Sequence, residues 1–455
     1  MEDKAPILKE NIMGTMPVHR LLITISLPMI ISMLIQSLYN VVDSYFVAKI
    51  SEDALTAVQL AFPVQYLMIA VSTGTAVGIN ALLSRKLGQG DQGAVNKAAE
   101  NGVFLALLSS AAFVLIGVFL AKPFMSWQTD AADIIESGST YLSICCICSI
   151  GIFFGITFGR LLQSTGRTLL SMIGQIAGAV TNIVLDPILI FGLVGMPKMG
   201  IAGAAAATVI GQFVGALVDI ILNYTKNPEI QMKLRRFKPE WAVIKEIYVV
   251  GIPAVLNNAI LSVMMFGMNA ILIGFSTSAT AVLGVYSKLQ SFIFMPIIGL
   301  NNGMIPILAY NYGAKSKERI TKTVKLAAVY ASCFALAGLL LFQIFPKPIL
   351  ALFIEEPATM VLGVKALRVI SLGFLCGGIT FVFCSVFQAM RKAHYSLIVQ
   401  SLRQLVLILP AAYLLSLTGE VNNVWWSFPI ADFIALGICI AMYAKMHKEH
   451  IEKIG

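Results

Sequence analysis

Apolar runs of roughly 20 residues recur along the whole of this chain, and each is long enough to cross a bilayer as a helix. Charge is correspondingly scarce. Only 12% of the 455 residues are charged, about half of the ~25% usual in a soluble globular chain, and the mean hydropathy is +0.84. The longest polar stretch runs from Lys226 to Lys245, which leaves no room for a soluble domain. The pattern is that of an integral membrane protein. The first 20 residues lack the basic region, short apolar core and cleavage site of a signal peptide, so the chain is expected to be retained whole.

Twelve spans are predicted, near 19–48, 54–83, 98–121, 138–160, 168–193, 201–223, 242–272, 280–309, 323–345, 363–387, 395–415 and 424–446. The 32 Lys and Arg residues divide unevenly among the connections. Twenty-four fall in the set that includes both termini, and four (Lys49, Lys122, Lys198, Lys347) in the other; the last four lie within spans. Basic residues accumulate in cytoplasmic loops, so both termini are predicted to be cytoplasmic, in a multi-pass protein of the cell membrane. The net charge of +9 is spread over short loops rather than gathered in a stripe, which argues against a nucleic-acid partner. The seven cysteines all lie in apolar runs without zinc-ligand spacing. They are read as small core residues, not as a disulfide framework or metal site.

The chain also repeats itself at an offset of 225. Pro28 meets Pro253, Gln65 meets Gln290, Gly74 meets Gly299, Gly78 meets Gly303 and Gly88 meets Gly313. The pair Lys122–Pro123 meets Lys347–Pro348, Gln163 meets Gln388, and Gln175 meets Gln400. Six spans per half insert both halves the same way up, a parallel repeat used by secondary transporters. The fold class is therefore all-α integral membrane, with two pseudo-twofold-related six-helix lobes around a central cavity. Segments 1–18 and 447–455 are the cytoplasmic ends, 19–224 and 242–446 the lobes, and 225–241 a basic cytoplasmic linker. That linker is either a solvated connector or a contact for anionic lipid.

Against this background the buried acids stand out. Asp43 is the one acid between Arg20 and Lys49, and a charge at mid-membrane costs about 2.5–3.5 kcal/mol on insertion scales. Asp186, in span 5, is predicted at a similar depth in the outer half. Asn182 precedes it by one turn and shares its face. Thr208 on span 6 and Tyr141 on span 4 fall at the same level. Pro187 frees a carbonyl near Ile183, and Pro28 is predicted to bend span 1 below Asp43. Such an oxygen-rich set suits a proton or a sodium ion rather than a soft metal, with sodium held by Asp43, Asn182, Asp186 and Thr208. At the 225 offset Asp43 becomes Met268, Asp186 becomes Ala411 and Thr208 becomes Phe433, so the coupling cation is assigned to the first half. In the second half Lys288, Arg403 and Asp432 also lie within spans. Arg403 and Asp432 are read as an ion pair or as substrate-facing groups, and Lys288 as snorkelling or cavity-facing. Gln36, Tyr39, Asn40, Gln65, Met265, Lys288 and Gln290 are candidate substrate-cavity residues.

The segments "LPMIISMLIQSLYNVVDSYFVAKI", "GTAVGINALLSRKLGQGD", "GRLLQSTGRTLLSMIGQIAGAVTNIVLDPILIFG" and "GIAGAAAATVIGQ" together resemble the multidrug and toxic compound extrusion (MATE) family. The resemblance covers essentially the whole chain. It implies an exporter of organic cations and amphipathic toxins, exchanging them for protons or sodium ions by alternating access, with no other cofactor. It implies a cation site at Asp43, Asn182, Asp186, Thr208 and Tyr141, and a helix bend at Pro28. Branches with a Glu in span 7 and an Asp in span 10 carry a second-lobe site. Neither acid is present here, which resembles the DinF-like branch. The expected partners are small amphipathic substrates and membrane lipids, and the expected state is a monomer. The alternative transport reading is a flippase for a lipid-linked or amphipathic lipid. An enzyme is not expected, since the chain has no Walker A loop, no H-E-x-x-H and no Ser/His pair in the spans, and "GRLLQSTGRT" has the wrong spacing for a phosphate loop.

Overall fold

The computed structural model describes residues 11–233 and 237–453. Parts of the segments read from the sequence, residues 1–10, 234–236 and 454–455, lie outside the described residues. Among the described residues the regular structure is helical throughout. Ten helices are long and apolar enough to cross a membrane, and two bent pairs bring the count to as many as 12.

In the first half these are α1 (Val18–Ala48), α2 (Glu52–Gly88), α3 (Gln92–Phe119), the pair α4 (Ala132–Ile147) and α5 (Ile150–Ser164), α6 (Thr168–Phe191) and α7 (Ile201–Lys226). In the second half they are α8 (Trp241–Leu272), α9 (Thr277–Gly313), α10 (Lys317–Ile344), the pair α11 (Pro357–Ser371) and α12 (Phe374–Ala389), α13 (Ala393–Ser416) and α14 (Ser427–Met446). The spans expected near 138–160 and 363–387 are thus each broken, by 44° and 48°. Close contacts lie at both breaks. Ser149 turns its hydroxyl to Ser110 Oγ at 3.3 Å, and Gly373 lies against Asp432 so closely that a Cβ would overlap its carboxylate.

The repeat read from the sequence is built into the helix boundaries. α2 and α9 are both 37 residues long, and α3 and α10 both 28. Ser51 caps α2 by accepting the Ala54 N–H at 3.0 Å, and Ser276 caps α9 by accepting the Ala279 N–H at 3.1 Å. A serine hydroxyl at this position satisfies one of the amides a helix start leaves unbonded. One difference separates the halves at α13, which widens into a π-helical stretch at Leu402–Ile408. Pro410 follows that stretch and lacks the amide hydrogen that the regular ladder needs.

The chain packs into two compact units. One holds residues 31–252 with the described residues before Met16, and the other holds 16–30 with 253–455. The expected lobes, 19–224 and 242–446, place the division in a connection; the packing units divide α1 and α8 instead. Both divisions fall beside a proline, Pro28 and Pro253. Within the first unit the start of α8 is seated on two glycines of α2. A Cβ on Gly78 would overlap the Ile247 carbonyl, and Gly251 would bring one to 3.1 Å from Gly74 O. Arg85 clamps the same seat through Glu246 at 2.5 Å. Within the second unit the start of α1 lies on the equivalent glycines of α9. A Cβ on Gly299 would stand 2.8 Å from Ile30 Cα, and one on Gly303 2.8 Å from Ser26 Cα. Ser26 Oγ donates to Leu300 O at 3.3 Å in support.

The turn after α2 shows what the two halves do differently. Gly90 takes φ 73 there, and its counterpart after α9 is the exposed Lys315 at φ 56. A residue with a Cβ pays about 1–2 kcal/mol in that left-handed conformation. Lys315→Gly is therefore expected to raise stability by about 1 kcal/mol, read as a higher apparent melting temperature of the purified protein in detergent. An unchanged or lower temperature would show that no strain is relieved.

Candidate functional site

The seam between α6 and α7 positions the site. The two helices run antiparallel and touch through paired glycines, Gly174 and Gly178 on one, Gly211 and Gly215 on the other. A Cβ on Gly178 would lie 2.8 Å from Gly211 O, and one on Gly215 3.0 Å from Gly174 O. Small residues let backbones approach this closely, the usual basis of helix association in lipid. At one end of the seam Asn182 packs against Gly211, whose Cβ would lie 3.1 Å from Asn182 Cβ.

Asn182 and Asp186 are both buried, as one turn of the same helix face requires. With the Asn182 amide oriented so that donors face acceptors, Nδ2 donates to Asp186 Oδ2 at 3.3 Å and Oδ1 accepts the Thr208 N–H at 3.2 Å. The reverse orientation still donates to the carboxylate, at 3.4 Å, and reaches Thr208 Oγ1 at 3.3 Å. The three residues therefore form one connected group across the seam.

Asp43 comes from α1, five residues before its last residue, Ala48; Asp186 stands five before Phe191 at the end of α6. The two carboxylates are close enough for their charges to interact. Asp43 is half-buried, and its Oδ1 is buried without a hydrogen-bond partner. Tyr39, one turn earlier on α1, lies within electrostatic reach of both acids and of Cys145. Tyr141, buried on α4, lies within reach of Asp43. Gln65 on α2 ties this side together, its Nε2 donating to Tyr141 Oη at 3.3 Å and to Cys145 Sγ at 3.4 Å. No cationic side chain acts on either acid among the described residues. The group is thus two carboxylates with amide and hydroxyl oxygens and no counter-charge of the protein's own. Those oxygens can hold a proton or a small hard cation.

The structure brings Asp43, Asp186, Asn182, Thr208 and Tyr141 into one group, and adds Tyr39 and Gln65, which the sequence suggested for a substrate cavity. Gln36 and Asn40 are exposed on α1. Met265, Lys288 and Gln290 belong to the other unit, where Lys288 is exposed and Met265 Sδ accepts from Ser287 Oγ at 3.7 Å. Pro28 lies inside a continuous α1. Arg403 and Asp432 form a buried ion pair, Nε to Oδ1 at 2.5 Å. Cys145 is the member of the group that sequence reasoning missed. It was read as core, yet its position one turn after Tyr141 carries the signal. A further buried acid, Asp219 on α7, was passed over altogether.

The MatE family model matches residues 28–188 and 253–414, one match in each half. The chain belongs to the MatE family. MatE proteins are membrane transporters, so this is a multi-pass membrane transporter and not an enzyme. Among curated proteins it is 26% identical over 410 residues to the multidrug export protein MepA of Staphylococcus haemolyticus, covering 90% of this chain and 89% of that protein. It is 23% identical over 424 residues to an FAD transporter of Shewanella oneidensis, covering 92% of each. Among solved structures, an outward-facing multidrug resistance MATE family transporter of the MOP superfamily superposes with a TM-score of 0.90 at 24% identity, over 98% of this chain and 99% of that one. A MOP superfamily transporter from Pyrococcus furiosus, described as having a binding pocket of reverse polarity, gives 0.87 at 24% identity, over 97% and 98%. The likeness to these structures is one of fold, and it assigns the all-helical two-lobe MatE architecture to this chain.

The glycine seam makes a direct prediction. In Gly211→Val the new Cβ meets the Gly178 carbonyl at 2.7 Å, backbone that cannot rotate away. Overpacking of this kind is expected to cost about 2 kcal/mol or more and to part Asn182 from Thr208. A lower melting temperature together with lost transport would bear this out; wild-type values for both would refute it.

Proposed function

We propose that this chain is a secondary active multidrug exporter of the cell membrane, exchanging organic cations or amphipathic toxins for protons or sodium ions by alternating access. The observation that carries the reading is the buried Asp186 within reach of the half-buried Asp43, with no basic partner shown for either among the described residues. A buried carboxylate without a counter-charge is costly, and binding an external cation removes that cost. Two such groups on different helices respond to one cation together. Relatives named as multidrug export proteins support the export side of the reading.

The cation enters between Asp43 on α1 and the Asn182–Asp186–Thr208 group, with Tyr39, Tyr141 and Gln65 closing the other side. Its binding shifts the protein between outward-open and inward-open states only through a difference in affinity for the two. α1 supplies a path for that difference, because it carries Asp43 at one end and Pro28 lower down, where the helix ladder lacks a hydrogen bond. Bending at Pro28 on neutralisation of Asp43 would release substrate. A membrane potential of 100 mV adds about 2.3 kcal/mol for each charge moved inward. In this reading both termini are cytoplasmic, as the distribution of basic residues favours, and the protein works as a monomer among membrane lipids.

Efflux of a fluorescent organic cation from proteoliposomes, under proton and sodium gradients imposed separately, tests the proposal. Wild type is expected to respond to one gradient. Asp43→Asn and Asp186→Asn are each expected to lose gradient-driven transport at least tenfold while still binding substrate. Transport indifferent to both gradients would overturn the antiport reading, and full coupling in both variants would overturn the site.

A further inference from the structure

The α6–α7 seam has a second end. Asp219 lies eleven residues after Thr208 on α7, and Ser171 eleven before Asn182 on α6. Eleven residues are close to three helical turns, so each pair shares a helix face about 16 Å apart. Asp219 and Ser171 therefore sit on the same seam as the acid pair, beyond the two rows of glycines. This end of α7 leads to Lys226 and the basic connection.

Asp219 is 2% exposed, and its Oδ1 is buried without a hydrogen-bond partner. Its neighbours are unusually bare. A Cβ on Gly174 would overlap Asp219 Oδ1, and one on Gly159 would lie 3.1 Å from Oδ2 and 3.2 Å from Ser171 Oγ. Ser171 Oγ accepts from Gln163 Nε2 at 2.9 Å and from Gln175 Nε2 at 3.3 Å. Gln163 is 3% exposed, and its Oε1 is a second buried acceptor without a donor. Among the described residues no charged group is shown acting on Asp219. Two glycines thus admit a carboxylate whose Oδ1 has no hydrogen-bond donor among the described residues.

An ionised carboxylate held this way is far costlier than a neutral one. A metal ion would need several ligands arranged around one point, and among the described residues no group of three or more His, Cys, Asp or Glu that could hold one is present. A proton needs no such set. We propose that Asp219 is a second proton-binding site of the first unit, separate from the Asp43–Asp186 pair, through which the medium at the basic end of the helices acts on transport. Loss of the proton places a charge in the α5–α6–α7 contact and loosens it; gain of the proton closes it. This inference rests on the transport reading above, but the site itself does not depend on which ion the acid pair takes.

Two measurements test it. The first needs no substrate. Infrared difference spectra of the purified protein in lipid, recorded between acid and alkaline pH, are expected to contain a carboxylic-acid carbonyl band. That band should be missing from Asp219→Asn and kept in the Asp43→Asn, Asp186→Asn double variant. Ser171→Ala, which leaves the carboxylate in place, should shift it, and so covers the case in which Asp219→Asn fails to fold. The second measurement is substrate counterflow with pH varied only on the side of the basic loops. Wild type should show a pH response that falls at least tenfold in Asp219→Asn. A band unaltered in both Asp219→Asn and Ser171→Ala, or one moved by sodium rather than pH, would overturn the proposal. Loss of coupling in the Asp43 and Asp186 variants with Asp219→Asn behaving as wild type would overturn this inference alone. Normal coupling in the acid-pair variants would instead remove the site assignment above.

Discussion

Close approach of helix backbones at glycine is the contact on which the rest of this molecule depends. In lipid there is no hydrophobic drive to bring helices together, so van der Waals packing must do it. The same four-residue spacing appears on α2 at Gly74 and Gly78, on α9 at Gly299 and Gly303, on α6 at Gly174 and Gly178, and on α7 at Gly211 and Gly215. On α2 and α9 it seats the first part of α8 and of α1. On α6 and α7 it closes the seam that carries Asn182, Asp186 and Thr208. Each contact removes water from the polar side chains beside it. Asp186 and Asp219, which lie along the α6–α7 seam, are therefore buried as a consequence of how the helices pack.

The two halves share that packing plan and differ in charge. At the 225 offset Asp43 is replaced by the buried Met268 and Asp186 by Ala411. Conversely, Arg403 stands where the first half has Gly178, and Asp432 where it has Ala207. The second unit thus holds a buried ion pair at 2.5 Å, with Phe381 beneath the guanidinium at 6.0 Å. A closed pair supplies its own counter-charge, and breaking one typically costs about 3–5 kcal/mol. It has little to exchange with an external ion. The first unit holds Asp43, Asp186 and Asp219 with no cation shown acting on any of them among the described residues. The proposed ion binding falls in the half that the protein leaves uncompensated.

Much of this was readable before any coordinates. The spans, the repeat and the depth of Asp43 and Asp186 follow from hydropathy and from the positions of Gly, Pro and Gln, because lipid imposes one dominant rule on sequence. The register held so closely that Ser51 and Ser276 cap equivalent helices. What escaped notice was set by packing across helices. The breaks within the fourth and tenth spans lie against Ser110 and Asp432, which are distant in sequence. Tyr39 and Gln65 looked like cavity residues because a single helix does not show which neighbour its polar face meets. Cys145 was hidden by its own apolarity. Asp219 was hidden by the run "GQFVGALVD", where an acid close to a basic loop reads as interfacial until the glycines opposite it are seen.

The division of α1 between the units bears on the proposed role of the acid pair. A change of charge at Asp43 acts first on unit one, where that end of α1 is packed. The other end of the same helix, 16–30, is packed in unit two against Gly299 and Gly303. α1 is covalently continuous, so any shift of its upper part must be taken up along its length or passed on. Pro28 weakens the ladder next to the boundary, about 22 Å along the helix from Asp43. α8 has the same construction about Pro253 but carries Met268 in place of the acid. One helix of this pair therefore carries an acid beyond its proline and the other does not, although both are seated in the same way.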